Sequence, residues 1–283
     1  MCVSAFEQGL ATISRDKACL LALSDLIDCL VPILAIEKPS SNRNFPGIIM
    51  DYTYIEPKLP TLRRLISLNR KHSGESMLRM LEYEALEEVD ISGKVLDLGG
   101  GEKSKYRADL PADIDYHSIN IDPDIAPTWL VQPGEGFPVE DNTFDCCISL
   151  NTLEHVFDAR FLIGEVFRTL KPGASLIITV PWMFRIHGHP DDFSRCTPSW
   201  WRAAMEEAGF SSTSVQPLVW GRKNSAASIG GFGIFKKLNR FLVPLADIVY
   251  AKLTFMGGNG LYSGARGLRV CGVAEGHMII ATK

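Results

Sequence analysis

Lys94–Tyr106 reads KVLDLGGGEKSKY, and the rest of the chain takes its meaning from this stretch. KVLDLG is a short apolar run of the kind that forms a strand buried on both faces, and three glycines follow at its carboxyl end. GGGEKS is one residue short of the phosphate-binding loop G-x-x-x-x-G-K-[ST]. That loop needs glycine directly before its lysine, so that backbone N–H groups can wrap the phosphates. Here Glu102 stands in that place, and Asp97 stands where the first glycine should be. The phosphate-loop reading fails.

Gly99-x-Gly101 also opens the dinucleotide fingerprint G-x-G-x-x-G, and Asp122 lies about 20 residues on, where an acid would bind ribose hydroxyls. Against this, Ser104 occupies the third glycine position. A third ligand suits the residues better: an adenosine without phosphates, S-adenosylmethionine. It needs a glycine turn that the methionine moiety can approach and an acid for the ribose diol. It does not need a helix N-terminus free for pyrophosphate. The plainer alternative is that three glycines simply make a tight turn.

Working outward, strand and helix signals alternate. DYHSINID (Asp115–Asp122), TWLVQ (Thr128–Gln132), FDCCISLN (Phe144–Asn151) and ASLIITVPW (Ala174–Trp182) read as strands. The glycine loop is expected to open a helix, and DARFLIGEVFRTLKPG (Asp158–Gly173) reads as a helix stopped by Lys-Pro-Gly. Such alternation means a parallel sheet with helices on both faces, whose ligand sits beyond the carboxyl ends of the strands. Upstream, SGESMLRMLEYEALEEV suits one amphipathic helix capped by Ser73 or Ser76. Residues 1–38 read as helical, and 37–47 as a linker. The cations Arg63, Arg64, Arg70, Lys71 and His72 form either a solvated helix face or a cap over an anionic ligand.

Composition narrows the function. The chain has 283 residues and a net charge of −4, without a polybasic face, which argues against a nucleic-acid partner. Its seven cysteines (Cys2, Cys19, Cys29, Cys146, Cys147, Cys196, Cys271) show no zinc-binding spacing and read as reduced cytosolic thiols, so a cytoplasmic location and no metal are expected. No leader pattern opens the chain. The apolar run Cys19–Ile36 carries Asp25, Asp28 and a proline, and reads as a packed or amphipathic helix rather than a membrane span.

FPVEDNTFDCCISLNTLEHVFD, followed by LIGEVFRTLKPGASLIITVPW, resembles the class I S-adenosylmethionine-dependent methyltransferases, in the subset with L-E-H-V after the fourth strand and R-x-L-K-P-G-G before the fifth. The resemblance runs from about Met77 to Phe210, with HMIIATK as the closing strand. It implies an α/β, Rossmann-like doubly wound sheet, mostly parallel with one antiparallel strand near the C-terminus. The division expected is an N-terminal helical extension or cap (residues 1–74) and a methyltransferase domain (residues 75–283) with a helical insertion at about 224–260.

The resemblance also implies roles. Asp97, Gly99, Gly100 and Gly101 would hold the carboxypropyl end of S-adenosyl-L-methionine, which leaves as S-adenosyl-L-homocysteine. Asp122 would accept hydrogen bonds from the ribose hydroxyls, and Asn151 would face the methionine portion. Departures occur at Lys103, in place of a glycine, and after the third strand, where only Gln132 or Glu135 is offered for the adenine.

The acceptor side falls to PWMFRIHGHPDDFSRCTPSWWRAAMEEAGF (Pro181–Phe210). His187 is the favoured general base for a hydroxyl, because imidazole accepts a proton near neutral pH. His189, Asp191, Asp192 and Arg195 would orient it or bind polar acceptor groups. The competing reading is a structural loop with an Asp192–Arg195 ion pair. His155 is a second catalytic candidate, though its place at a helix start favours a structural or cofactor-pocket role. A metal site from His187, His189 and Asp192 has loose spacing. The loop looks like that of family members acting on sugars, so a small-molecule or glycan acceptor is expected. The order NTLE after the fourth strand lacks N-P-P-[YF] and Pro-Cys, which argues against amine or C5 methylation of bases. The insertion, with its helix-like core at Phe235–Phe255, has three readings: a lid over the acceptor, a homodimer interface, or a surface for a membrane or lipid-linked acceptor. Two rivals stand beside methyl transfer: a non-catalytic binding or scaffold protein, and a nicotinamide-dependent oxidoreductase.

Overall fold

The computed structural model describes residues 52–188, 191–255 and 257–283. Eight strands form one sheet: β1 (Thr53–Tyr54), β2 (Lys94–Leu98), β3 (Asp115–Asn120), β4 (Trp129–Leu130), β5 (Phe144–Leu150), β6 (Leu170–Pro181), β7 (Ser212–Leu218) and β8 (Gly276–Thr282). Their order is β1-β7-β8-β6-β5-β2-β3-β4. Every pairing is parallel except those of β8, which runs antiparallel to β6 and β7. The single reversed strand near the C-terminus is therefore where the sequence put it.

Burial on both faces explains the unbroken apolar runs. Successive residues alternate between two cores: Val95, Cys146, Ile148, Ile177 and Met278 enter one, while Leu96, Cys147, Leu176, Ile178 and Ile279 enter the other. The second core is closed by helices α3 (Ala159–Thr169) and α4 (Pro198–Ala208). The first is closed by α1 (Leu62–Lys71), α2 (Met77–Leu86) and, from the insertion, α6 (Lys236–Phe255), through Leu245 and Ile248. Two more helices, α5 (Arg222–Gly230) and α7 (Gly264–Cys271), flank α6.

Local chemistry sets the helix ends. Thr61, Ser76, Asp158 and Thr197 each accept a hydrogen bond from the backbone N–H three residues on. Of the two serines considered before α2, Ser76 is the cap. Gly209, at φ 104°, closes α4 in the left-handed conformation.

Several expectations change. The first 51 residues of the N-terminal extension lie outside the described residues. Its remainder is not purely helical, since Thr53–Tyr54 adds an edge strand beside β7. Of the α1 cations, Arg64 forks onto Glu84 at 2.6 and 3.0 Å and Lys71 meets Glu87 at 2.8 Å, so these two bind the neighbouring helix α2. No α-helix follows the glycine loop. A short 3-10 segment (Lys105–Asp109) takes its place, and Pro111 comes soon after. Helix α3 ends at Thr169, and Lys-Pro-Gly belongs to the irregular start of β6. The apolar stripe of α6 packs into the core, and Asp247 on it caps α5 by accepting from the N–H groups of Lys223 and Asn224 at 3.1 and 2.8 Å. No described helix is long and apolar enough to cross a membrane.

Candidate functional site

The strand order turns back between β2 and β5, and the loops leaving these two strands touch. A Cβ on Gly99 would lie 2.1 Å from the Thr152 hydroxyl, and Gly99 holds φ 91°, a conformation that side chains rarely adopt. A Cβ on Gly100 would meet the Asp97 carboxylate at 1.8 Å, and one on Gly101 the Ile125 carbonyl at 2.3 Å. Backbone or side chain already fills the space beside each glycine. That is the physical reason for three in a row.

Asp97 lies beneath this loop with no exposed surface. Its carboxylate accepts from the hydroxyls of Tyr116 at 2.6 Å and Tyr106 at 2.9 Å. Burial raises it to about 6, a rise tempered by those two hydrogen bonds. Asp97 thus organises the loop from below. The loop is also tied sideways: Gly101 N–H donates to the Ser104 hydroxyl at 3.0 Å, and the N–H groups of Glu102 and Lys103 donate to the carbonyls of Ala126 and Ile125. These donors are occupied and no α-helix begins here, so the loop lacks the pyrophosphate seat of a dinucleotide fold.

Asp122 lies two residues past the end of β3, on the same edge of the sheet. One carboxylate oxygen accepts from Asp124 N–H at 2.8 Å, and its own N–H donates to Asn120 at 3.0 Å. Asn120 in turn donates to the Gly99 carbonyl, joining the acid to the glycine turn. These residues fit an adenosyl group: a backbone cradle without side chains beside a held carboxylate. Gln132 is exposed on the loop after β4, where its backbone N–H donates to Glu135 at 2.8 Å.

Asn151 leaves β5 at φ 51°, in the left-handed region that asparagine tolerates better than most residues. Its amide donates to Glu82 at 2.6 Å, and its N–H to the Thr179 carbonyl at 2.9 Å. Glu82, from α2, is fully buried among Asn151, the Thr179 hydroxyl at 2.9 Å and Arg79 at 3.1 Å.

Beyond Asn151 a polar cluster joins two loops. Glu154 is 1% exposed, and neither carboxylate oxygen has a hydrogen-bond partner on another described residue. Burial pushes it up to about 8. His155 Nε2 faces Glu154 at 3.7 Å, while its Nδ1 meets the Asp191 carbonyl. The rings of His155 and His187 meet edge-on with centroids 5.0 Å apart. The carbonyl of Glu154 also accepts from the N–H groups of Phe193 and Ser194 at 2.8 and 3.3 Å, which seats the loop after β6 upon it.

In that loop Asp192 is nearly buried and forks onto Arg195, at 2.6 Å for the longer arm, and also accepts from His187 N–H at 2.8 Å. Arg195 holds the Asp192 carboxyl below its usual range against the opposing effect of burial. Burial in turn lowers the His187 imidazole. The Asp192–Arg195 ion pair weighed in the structural-loop reading is present, and Arg195 Nη2 also lies 3.4 Å from His187 Nδ1. His189 lies outside the described residues. The sequence reading passed over Glu82, Glu154, Tyr106 and Tyr116; of these only Glu154 carried a signal, an acid beside His155 at a strand end.

Residues 82–178 match a family described as a methyltransferase domain. The chain is 32% identical over 125 residues to an uncharacterized methyltransferase of Mycobacteroides abscessus, covering 38% of this chain and 48% of that protein. It is 29% identical over 110 residues to a "probable S-adenosylmethionine-dependent methyltransferase" of Mycolicibacterium smegmatis, covering 35% and 42%. The chain spans about half the length of these curated relatives or slightly less. Among solved structures, a SAM-dependent methyltransferase from Archaeoglobus fulgidus aligns with 77% of this chain and 99% of that one, at 15% identity and a TM-score of 0.46. Residues 82–178 are thus similar to a methyltransferase domain, within the span of the sequence resemblance. The match takes in the glycine loop, Asp122 and the Glu154–His155 pair, and stops before the loop that carries His187.

Proposed function

We propose that the chain transfers a methyl group from S-adenosyl-L-methionine to a hydroxyl of a sugar or other small hydroxylated acceptor. The observation that carries this reading is the shared edge of the sheet: the three-glycine cradle with Asp122 stands beside the Glu154, His155 and His187 cluster. The cofactor supplies a methyl group already activated on a sulfonium. The protein's work is then alignment and exclusion of water, and positioning alone can contribute roughly 7–11 kcal/mol.

In this reading Gly99, Gly100 and Gly101 admit the methionine end, and Asp122 accepts from the ribose hydroxyls. Asn151, anchored on Glu82, keeps the end of β5 in its left-handed bend beside the methyl position. Held there, the cofactor would give its methyl carbon to the acceptor oxygen, the carbon–sulfur electron pair staying on sulfur. His187 assists departure of the hydroxyl proton. Its Nδ1 lies 3.3 Å from the Arg185 carbonyl and 3.4 Å from Arg195 Nη2, which fix the ring in the loop. Sequence resemblance of the loop supports the sugar acceptor, and the insertion's three roles remain those set out above.

Calorimetry with S-adenosylmethionine, followed by a screen of hydroxylated acceptors for S-adenosylhomocysteine release, tests the proposal. Binding with turnover on a sugar is the expected result. Binding without turnover on any acceptor would favour the scaffold reading, and NAD binding without S-adenosylmethionine binding would favour the oxidoreductase.

A further inference from the structure

We infer that Glu154, His155 and His187 form a binding site for a first-row transition-metal dication of the zinc type. One ligand atom from each residue lies within 4.8 Å of the other two. Two imidazoles and one carboxylate, with a position left open, are a donor set with which zinc binds and polarises an outside oxygen. Two nitrogen donors disfavour magnesium and calcium, which take oxygen ligands.

Three further observations point to a cation here. The first is charge. Arg79 is paired with Glu82 and Arg195 with Asp192, whereas Glu154, 1% exposed, has no hydrogen-bond partner on another described residue. An isolated buried carboxylate is costly, and a dication between it and two imidazoles would remove that cost.

The second is ring orientation. His155 Nδ1 meets the carbonyl of Asp191, and His187 Nδ1 lies 3.3 Å from the carbonyl of Arg185. Metal-bound histidines hold their second nitrogen in this way, and for His155 this leaves Nε2, which faces Glu154, as the ligand atom. The third is rigidity. The N–H groups of Phe193 and Ser194 on the Glu154 carbonyl lock the two contributing loops together. Asp192, weighed from the sequence as a ligand beside His187 and His189, is excluded by its fork onto Arg195. Sequence spacing missed the site because two of its three ligands, Glu154 and His155, lie on another loop.

The donor geometry stands on its own. Only the use of the open position rests on the methyltransferase reading. There an acceptor hydroxyl would bind the ion, become more acidic and release its proton to solvent, and His187 would act on that proton as a ligand rather than by accepting it.

The test uses chelator-treated, dialysed full-length protein titrated with Co²⁺ and followed by visible absorption, with Zn²⁺ as competitor. One equivalent of Co²⁺ should give a saturable band that Zn²⁺ displaces. Glu154→Gln, His155→Gln and His187→Gln should each weaken binding by at least about tenfold, while His117→Gln leaves it unchanged. No saturable band in the wild type, or equal affinity in all three ligand variants, would overturn the site. Circular dichroism checks folding, and if Glu154→Gln unfolds, the two histidine variants decide. Parallel calorimetry separates the two proposals. S-adenosylmethionine binding without Co²⁺ binding defeats the ion and spares the methyltransferase reading; Co²⁺ binding without S-adenosylmethionine binding does the reverse.

Discussion

The Asn151 amide donates to the buried carboxylate of Glu82 across 2.6 Å, and so helix α2 holds the bend at the end of the central strand β5. Thr179 on β6 and Arg79 on α2 complete the shell around Glu82. The candidate site is built on this joint, because Glu154 and His155 lie within one turn of chain after Asn151. Breaking a buried pair by removing one partner costs about 3–5 kcal/mol. Glu82→Ala should lose that order of stability in urea unfolding, with the midpoint falling at constant m-value. A loss below about 1 kcal/mol would show that the joint carries little.

Asp122→Ala should weaken S-adenosylmethionine binding by at least about tenfold, since a hydrogen bond to a charged group contributes roughly 1.5–3 kcal/mol. The comparison is calorimetric, with circular dichroism as the check on folding. Unchanged affinity would remove Asp122 from the ribose site.

Gly100→Ala and Gly164→Ala make a matched pair. A Cβ at Gly100 would lie 1.8 Å from the Asp97 carboxylate, whereas nothing lies within 4 Å of one at Gly164 in α3. The first variant should lose cofactor affinity by tenfold or more. The second should keep it and gain roughly 0.5–1 kcal/mol of helix stability. Equal affinity in both would mean that the glycine cradle does not seat the cofactor.

His187→Gln should lower turnover by roughly 10²–10⁴ and leave S-adenosylmethionine affinity unchanged, whether the side chain acts as a base or through an ion. Steady-state kinetics read beside calorimetry give the split. A turnover rate equal to wild type would remove His187 from the chemistry.

His277, buried on β8 with no hydrogen-bond partner for either ring nitrogen among the described residues, is lowered to about 4 by burial. Neutral His277 therefore supports the fold fully above the unfolded value near 6.5, and that support is lost as the pH falls through 4. The difference of 2.5 units (6.5 minus about 4) corresponds to about 3 kcal/mol. The unfolding free energy of wild type should be lower at pH 4.5 than at pH 7, and the two values should differ less in His277→Leu. Equal pH dependence in the two proteins would refute the assignment.

Much of the fold was legible because β2, β5, β6 and β8 are buried on both faces, so their apolar runs stand out without knowledge of their neighbours. Strand β7 was not legible. STSVQPL has only three buried residues, and its pairing with β8 and β1 makes it a strand. The segment after the glycines was misread as a helix, since spacing alone cannot show that Tyr106 turns back to bond Asp97.

Short-range chemistry let the sequence alone determine the strand–glycine turn and the strand alternation. Each depends on residues close together in the chain. The tertiary structure alone decided that Glu82 supports Asn151, that Asp192 serves Arg195, and that Glu154 meets His155 and His187 without a hydrogen-bond partner of its own. Those relationships join separate helices and loops. Burial, which leaves the Glu154 carboxylate without water, arises only when the sheet brings them to one edge.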